Sequence, residues 1–310
     1  MLEKLVGFCR EPKKEIDSNV INDLFIEVSS WDNSKDSISP VWEKVFKKYG
    51  RGDILKLSKR ELKESYENFF TNGLSEGADV GVGLKEFRSL MKYYLRGKKR
   101  LKHINQIIDY IDDSSKEEGQ KIRNLLFSSK GYGQAWLQKI NKVYYNPEVF
   151  DHVLFLLYFY KSIPPKAKLI FIGDGVGHLS NMLIKICDID EVVFIDLPHF
   201  LARQFIVNHG ERIKMSFLTP SMFSSEFLSG EYILINQDSF PEIPEKYLKK
   251  YFSIISKGLV SKIISYNKRD NSYGHTNFSK LINENGLTSR SLSPSIFRNG
   301  YFFEVFENNE

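Results

Sequence analysis

Three glycines at alternate positions, Gly173, Gly175 and Gly177, follow the apolar run Leu169-Ile-Phe-Ile172, and the carboxylate of Asp196 ends the next apolar run, Val192-Val-Phe-Ile195. A glycine turn between a buried strand and a helix lets backbone N–H groups approach a ligand. An ionised carboxylate at the end of the following strand can accept hydrogen bonds from ribose hydroxyls. A nucleotide-like ligand is therefore expected. Proton acceptors are available farther along the chain: Asp238 and Glu242 just beyond a later apolar run, and His275 in the loop after the one that follows. Imidazole titrates near neutrality, which suits His275 to general-base work, although solvated loop histidines and capping carboxylates have the same look. His178 opens the helix beside the glycine turn and can face either the ligand or solvent.

The spacing narrows the ligand. A dinucleotide fingerprint has a third glycine three residues after the second, so that the helix packs closely beneath a pyrophosphate, and here His178 holds that position. The pattern G-x-G-x-G resembles instead the first motif of class I S-adenosylmethionine-dependent methyltransferases. The resemblance extends through Asp196-Leu-Pro198, through Tyr232-Ile-Leu-Ile-Asn-Gln-Asp-Ser-Phe-Pro-Glu-Ile243, and to Tyr251-Phe252. It is specifically to a family of sugar O-methyltransferases, which carry an acid-Leu-Pro element after the second strand. Those proteins also carry an Asn-x-x-Ser-Phe-x-Glu-hydrophobic segment after the fourth, matched by Asn236, Ser239, Phe240, Glu242 and Ile243. It covers roughly residues 130 to 270 and departs at Phe171, where such enzymes have Glu or Asp two positions before the first glycine. Asp174, inside the turn, can compensate.

The resemblance implies S-adenosylmethionine as cofactor and transfer of its methyl group to a sugar hydroxyl in surface glycan assembly; no metal-ligating residue is singled out, and whether a metal assists stays open. The implied cofactor residues are Gly173, Asp174, Gly175, Gly177, Asp196, Leu197, Pro198, Ser221, Met222 and Asn236, with Glu242, Asp238 and His275 as candidate catalytic groups. Several have packing alternatives: Met222 as a core residue, Pro198 as a strand terminator, Ser239 as a cap. Three rival functions stay open: a dinucleotide-dependent oxidoreductase, a methyltransferase of another small molecule or of a protein, and a non-catalytic binding module.

The elements that must position these residues alternate strand and helix. Strands are expected at 169–172, 192–196, 213–217, 232–237 and 259–266, with helices at 179–187, 201–209 and 244–256. Such alternation requires a mostly parallel sheet with helices on both faces. A short helix near 277–285 and β-like runs at 288–292 and 301–306 follow. The expected fold is α/β: a Rossmann-like class I methyltransferase domain at 146–310 with a terminal antiparallel hairpin, preceded by a helical region at 1–145 that caps the substrate or mediates oligomerisation. Ligands of such open sheets bind beyond the carboxyl ends of the strands.

Within 1–145, Ser39-Pro40 opens one helix that Gly50 closes, and Ser58-Lys-Arg-Glu61 forms a capping box for another. Thr71 to Asp79 reads as a linker or a loop over a cleft. The basic run Arg96 to Lys102 reads as a solvated helix junction, and Tyr132, Trp136, Tyr144 and Tyr145 as core aromatics, with a phosphate or sugar contact as the functional alternative.

With 310 residues, 42% of them hydrophobic, the chain can bury one or two sizeable cores. A net charge of +5 without a concentrated basic face argues against a nucleic-acid partner. Cys9 and Cys187 alone make neither a disulfide framework nor a zinc site of recognised spacing, and a reducing cytoplasm is expected. No run approaches the roughly 20 apolar residues of a membrane helix, and Met1 to Lys14 lacks a secretory pattern. The partner expected is a sugar or glycan acceptor, and a homo-oligomer is compatible with the sequence.

Overall fold

The computed structural model describes residues 8–9, 15–31, 54–72, 117, 119–120, 124, 137–140, 143–145, 149–269, 277–295 and 300–308. The chain forms two compact units, one of residues 1–21 with 58–157 and the other of 22–57 with 158–310. The elements expected at 39–50, 73–79 and 96–102, and the residues Tyr132, Trp136 and His275, lie outside the described residues.

In the first unit, strand β1 (Phe8–Cys9) pairs antiparallel with β2 (Leu137–Ile140), which pairs in turn with β3 (Val143–Tyr145). Helix α2 (Lys59–Asn72) opens on the expected capping box: the Ser58 N–H donates to Glu61 Oε2 at 2.8 Å, and the Glu61 N–H donates back to Ser58 Oγ at 3.3 Å. Two of the free N–H groups at the helix start are thus satisfied. The small sheet departs from the all-helical expectation. Its strands are so short that their alternation carries less weight in sequence than the helical periodicity around them, and Tyr144 and Tyr145 lie on β3 rather than on a helix. Helix α1 (Ser18–Ser29) and helix α3 (Val149–Phe159) complete the N-terminal elements.

The second unit is built on a seven-stranded sheet. Its strands are β4 (Ala167–Ile172), β5 (Ile189–Ile195), β6 (Lys214–Leu218), β7 (Tyr232–Gln237), β8 (Val260–Lys268), β9 (Leu287–Pro294) and β10 (Tyr301–Asn308). The spatial order is β6-β5-β4-β7-β8-β10-β9. All neighbours from β6 to β8 are parallel, and β10 runs antiparallel to both β8 and β9. This is the mixed Rossmann-like sheet with a terminal antiparallel hairpin that the sequence leads one to expect. The chain steps outward from β4 to β5 to β6 and then returns to place β7 on the other side of β4. That reversal is the topological switch point, where an open sheet leaves a crevice at its carboxyl end.

Both faces of the central strands are buried, as a parallel sheet covered by helices requires. On one face Ile170, Val193, Leu234 and Ile263 join Leu248, Phe252 and Ile255 of α6 (Glu245–Ser256) and Leu281 of α7 (Phe278–Glu284) in a single core. On the other, Phe171, Phe194 and Phe217 occupy matched positions on β4, β5 and β6. Successive ring centroids are 5.8 Å and 4.8 Å apart. Phe205 of α5 (Pro198–Asn208) closes this ladder at 5.3 Å from Phe217. Cross-strand aromatic pairs of this kind each contribute roughly 0.2–1 kcal/mol, so Phe171 is a packing residue of the sheet. The opposite end of the sheet holds a buried carboxylate, Glu191, paired with Lys214 at 2.7 Å and Lys168 at 3.5 Å. Burial alone would raise its pKa, but hydrogen bonds from Lys214 and Tyr232 and the charges of both lysines hold it below the ordinary range.

The segment at 22–57 is tied to this unit by His209 Nε2, 2.9 Å from Asp23 Oδ2, and by a short 3₁₀ turn at Ile54–Lys56 that contacts α5 and buries Ile54. Helix α4 (His178–Ile186) packs against α5, and Gly177, at its N-cap, lies close to α5. A Cβ there would stand 2.9 Å from the Cα of Gln204, and the residue has φ +85°. Gly177→Ala is therefore expected to destabilise the protein by roughly 2–4 kcal/mol, from left-handed strain plus a contact with backbone that cannot swing aside. Urea denaturation with a native-like m-value checks this, and a loss below about 0.5 kcal/mol would mean that the helices part easily.

Candidate functional site

The carboxyl ends of β4, β5, β6 and β7 bring the expected residues to one rim. After β4 the chain turns through Gly173, Asp174, Gly175 and Val176 to Gly177. The turn is fastened by the Gly173 N–H donating to Ile195 O at 3.1 Å and the Gly177 N–H donating to Asp174 O at 3.1 Å. A side chain on Gly173 would overlap Ser239, whereas the position of a Cβ on Gly175 meets no heavy atom within 4 Å. The first glycine thus admits the loop after β7, and the second faces open space.

Asp196 points back at this turn. Its Oδ1 accepts the Leu197 N–H at 2.8 Å, and its Oδ2 accepts the Gln204 amide at 2.7 Å and the Gly175 N–H at 3.3 Å. Asp174 is 8% exposed, and its Oδ2 accepts the Ser180 N–H at 3.3 Å, within the first turn of α4. Burial pushes the Asp196 carboxyl up to about 7 against its hydrogen bonds. Burial does the same to Asp174, also to about 7, with the neighbouring charge of Asp196 adding to the rise. Two carboxylates sharing a desolvated turn oppose each other's ionisation.

Gln204 was not foreseen. It stands in the interior of α5, where nothing in its spacing separates it from a core-facing polar residue, yet it is fully buried and donates to Gly175 O at 3.3 Å as well as to Asp196. A second layer continues from it: Asn208 donates to Ser180 Oγ at 3.2 Å and to Gln204 O at 2.9 Å, and Asn181 donates to Asn208 Oδ1 at 3.3 Å. His178 is buried at the start of α4 rather than solvated.

At the end of β6, Thr219 anchors a tight turn by accepting the Met222 and Phe223 N–H groups at 3.0 and 3.1 Å. Lys250 of α6 holds the carbonyls of Pro220 and Ser221 at 2.8 and 3.2 Å. Ser221 and Met222 are half-buried there, Met222 against the core. Leu197 is half-buried at the N-cap of α5, and Pro198 is buried at its first position. At the end of β7, Asn236 directs its amide into the protein. It donates to Ile172 O at 2.6 Å and to Ser239 Oγ, and it accepts the Asn267 amide at 2.6 Å and the Phe240 N–H at 3.3 Å. Asn236 therefore clips β4, β7 and β8 together. Asp238 has φ +59° and receives the Tyr301 hydroxyl at 2.6 Å, and Glu242 is half-buried in the short 3₁₀ turn at Phe240–Glu242. Cys187 is a free thiol pushed up to about 11 by burial, which leaves it un-ionised near neutrality. No described helix is long and apolar enough to cross a membrane.

No protein-family model matches the sequence, and no curated protein matches it. Similar solved structures include the N-methyltransferase NodS of Bradyrhizobium japonicum in complex with S-adenosyl-L-homocysteine, at 15% identity over 62% of this chain and 98% of that one, with a TM-score of 0.43. Magnesium protoporphyrin IX methyltransferase of Synechocystis with bound S-adenosylmethionine is similar at 16% identity over 66% and 96%, with a TM-score of 0.41. A TehB-like S-adenosylmethionine-dependent methyltransferase of Corynebacterium glutamicum is similar at 14% identity over 50% and 87%, with a TM-score of 0.39. At these identities and scores, a functional assignment rests on the residues of the chain itself.

The raised carboxyls give the ligand-free protein a pH signature. Between the unfolded pKa of about 4 and a folded value of about 7, the native state holds a proton that the unfolded chain has released. Stability consequently falls as pH rises through that window and levels off above it. Asp174→Asn, which cannot ionise, is expected to flatten this slope and to exceed the wild type at pH 8 by roughly 1–3 kcal/mol. Urea denaturation at pH 5, 6, 7 and 8 measures the effect, and parallel profiles for the two proteins would exclude it.

Proposed function

We propose that the chain is an S-adenosylmethionine-dependent O-methyltransferase whose donor binds across the glycine turn and whose acceptor is a sugar hydroxyl in surface glycan assembly. The observation that carries the donor site is the meeting of Asp196 with Gly175 at the switch point of the sheet. A carboxylate presents roughly four lone-pair directions, of which three are taken here. A ribose diol can use the remaining one and displace the long contact from Gly175, which then points its N–H at the ligand. The space beside Gly175 suits such a ligand, and buried acceptor oxygens in the turn suit its donors. Leu197, Pro198, Ser221 and Met222 form the walls that an adenine would meet.

The donor supplies a sulfonium-activated methyl group, so the chain's own contribution is alignment of the acceptor and removal of its proton. Glu242 and Asp238 are the described proton acceptors on the rim, and His275 is the third candidate. We assign acceptor choice to the region at 1–145. The sugar rests on the resemblance of Asn236 to Ile243 alone. A binding module without catalysis is the second reading, favoured by Phe171, whose place in the aromatic ladder leaves no acid at that strand position. Transfer of a labelled methyl group to any acceptor in a glycan or nucleotide-sugar mixture would eliminate it.

Isothermal titration is expected to give binding of S-adenosylmethionine and S-adenosylhomocysteine and none of NAD. Asp196→Ala should lower S-adenosylhomocysteine affinity by at least about tenfold, or 1.4 kcal/mol, with an unchanged circular dichroism spectrum. Full affinity in that variant would remove Asp196 from the ligand. Gly175→Val should also weaken binding, since its side chain would enter the open space beside the turn.

A further inference from the structure

Within the second unit, a groove of about 340 Å³ lies between Tyr158, at the end of α3, and the β8-β10-β9 part of the sheet. Its size is that of a small-ligand site, roughly 300–1,000 Å³. It is separate from the donor crevice. Lys262 in its wall precedes Tyr266, whose carbonyl accepts the Asp238 N–H at the rim, by about 13 Å of strand.

One wall of the groove is an aromatic shelf. The Tyr158 ring stacks on Phe303 at 4.5 Å between centroids, and Phe303 stacks in turn on Tyr266 at 4.3 Å. Phe303 and Tyr266 are buried and hold Tyr158 flat, yet Tyr158 is 48% exposed, so its outer face is open. The other wall is polar. Strand β9 carries a bulge against β10: Val305 pairs with Ser291 and Phe306 with Ser289, which leaves Arg290 between them with no opposite residue. A bulge re-aims a side chain that strict alternation would send to the other face of the sheet. Arg290 consequently lines the groove together with Ser291 and Ser293. Its guanidinium is steadied by donating to Asn308 O at 2.6 Å, and the Lys262 ammonium by Glu307 Oε1 at 2.8 Å. Charged donors and a carboxylate acceptor thus stand preset around an open aromatic face.

That combination selects the occupant. An apolar segment laid over the groove would strip water from Arg290 and from the Lys262–Glu307 pair and return no hydrogen bonds. A simple anion would be opposed by Glu307 and would make no use of Tyr158. A sugar ring has a C–H face for the shelf and hydroxyls at its edge that both donate and accept, which suits Glu307 as well as Arg290, Lys262 and the serines. We propose that this groove is a second, non-catalytic site that binds a saccharide unit, its ring stacked on Tyr158 and its hydroxyls held by Glu307 and Arg290. The site stands on its own geometry and does not depend on the donor crevice. In a chain that methylates a glycan, it would grip that glycan at a unit remote from the reacting hydroxyl.

Saturation-transfer NMR of the full chain with linear tetrasaccharides of glucose, mannose, N-acetylglucosamine and galacturonic acid, each at millimolar concentration, tests the site. Transfer to at least one of them is expected, strongest at ring C–H protons, and transfer to none overturns the proposal. For the sugar that binds, Tyr158→Ala should weaken affinity by at least about fivefold, Arg290→Ala by at least about threefold, and Tyr158→Phe should stay within about twofold of the wild type. Wild-type affinity in Tyr158→Ala or in Arg290→Ala overturns the site. So does a Tyr158→Ala protein that passes from dimer to monomer in analytical ultracentrifugation while its sugar binding is unaffected, since the groove would then be a contact between copies. Titration with S-adenosylhomocysteine reads the donor crevice independently: failure there removes the donor site and leaves this one, and Tyr158→Ala should leave that affinity unchanged.

Discussion

The approach of α5 onto the glycine turn at Gly177 is the constraint on which the site depends. Only a residue without Cβ lets the backbone of Gln204 come so close, and only at that distance can the Gln204 amide reach both the carbonyl of Gly175 and the carboxylate of Asp196. The turn, the acid at the end of β5 and the helix between β5 and β6 thereby become one rigid object. Asn208 and Asn181 extend that rigidity outward through buried side-chain hydrogen bonds. Interlocked polar networks of this type are costly when half satisfied, so their members hold one geometry.

Electrostatics gives the same turn a different character. Asp174 and Asp196 sit where burial disfavours their charge, and the hydrogen bonds they accept come from neutral groups, the Ser180, Leu197 and Gly175 N–H and the Gln204 amide. A fold selected for stability alone would fill these positions with apolar or neutral residues, because buried charge without compensation is destabilising. Carboxylates placed beside a turn with open space fit the proposed donor site, where a bound ligand would add to their hydrogen bonding.

Much of this was legible in the sequence, and the limits are physical. The run from Lys168 to His178 and the acid at 196 revealed strand, turn, helix and strand, because apolar runs, glycine spacing and a terminal acid are all local signals. The antiparallel ending was legible too, from two short β-like runs after the last helix. Gln204, Asn267 and Tyr301 were not. Their roles arise from helix packing and from strand register, such as the pairing of Tyr301 with Lys268 across β10 and β8, which no local window contains. The small sheet of β1, β2 and β3 was missed for the same reason, since β1 and β2 lie far apart in the chain.

The loop after β7 argues for a division of labour between its carboxylates. Ser239 donates to Ile172 O at 3.0 Å while receiving the Asn236 amide, so the loop is pinned to the end of β4 directly against Gly173. Pinning on both sides forces the intervening Asp238 into a left-handed conformation, strain that a non-glycine residue adopts only when its surroundings impose it. The result is that one oxygen of Asp238 faces Tyr301 on the antiparallel hairpin. The Asp238 carboxylate is thereby tied to the hairpin, which sets its geometry. Glu242, at the end of the short 3₁₀ turn, is bound by its N–H to Ser239 O. If the chain transfers a methyl group as proposed, Asp238 would hold the rim in shape, and Glu242 would be the candidate to take a proton from an acceptor hydroxyl.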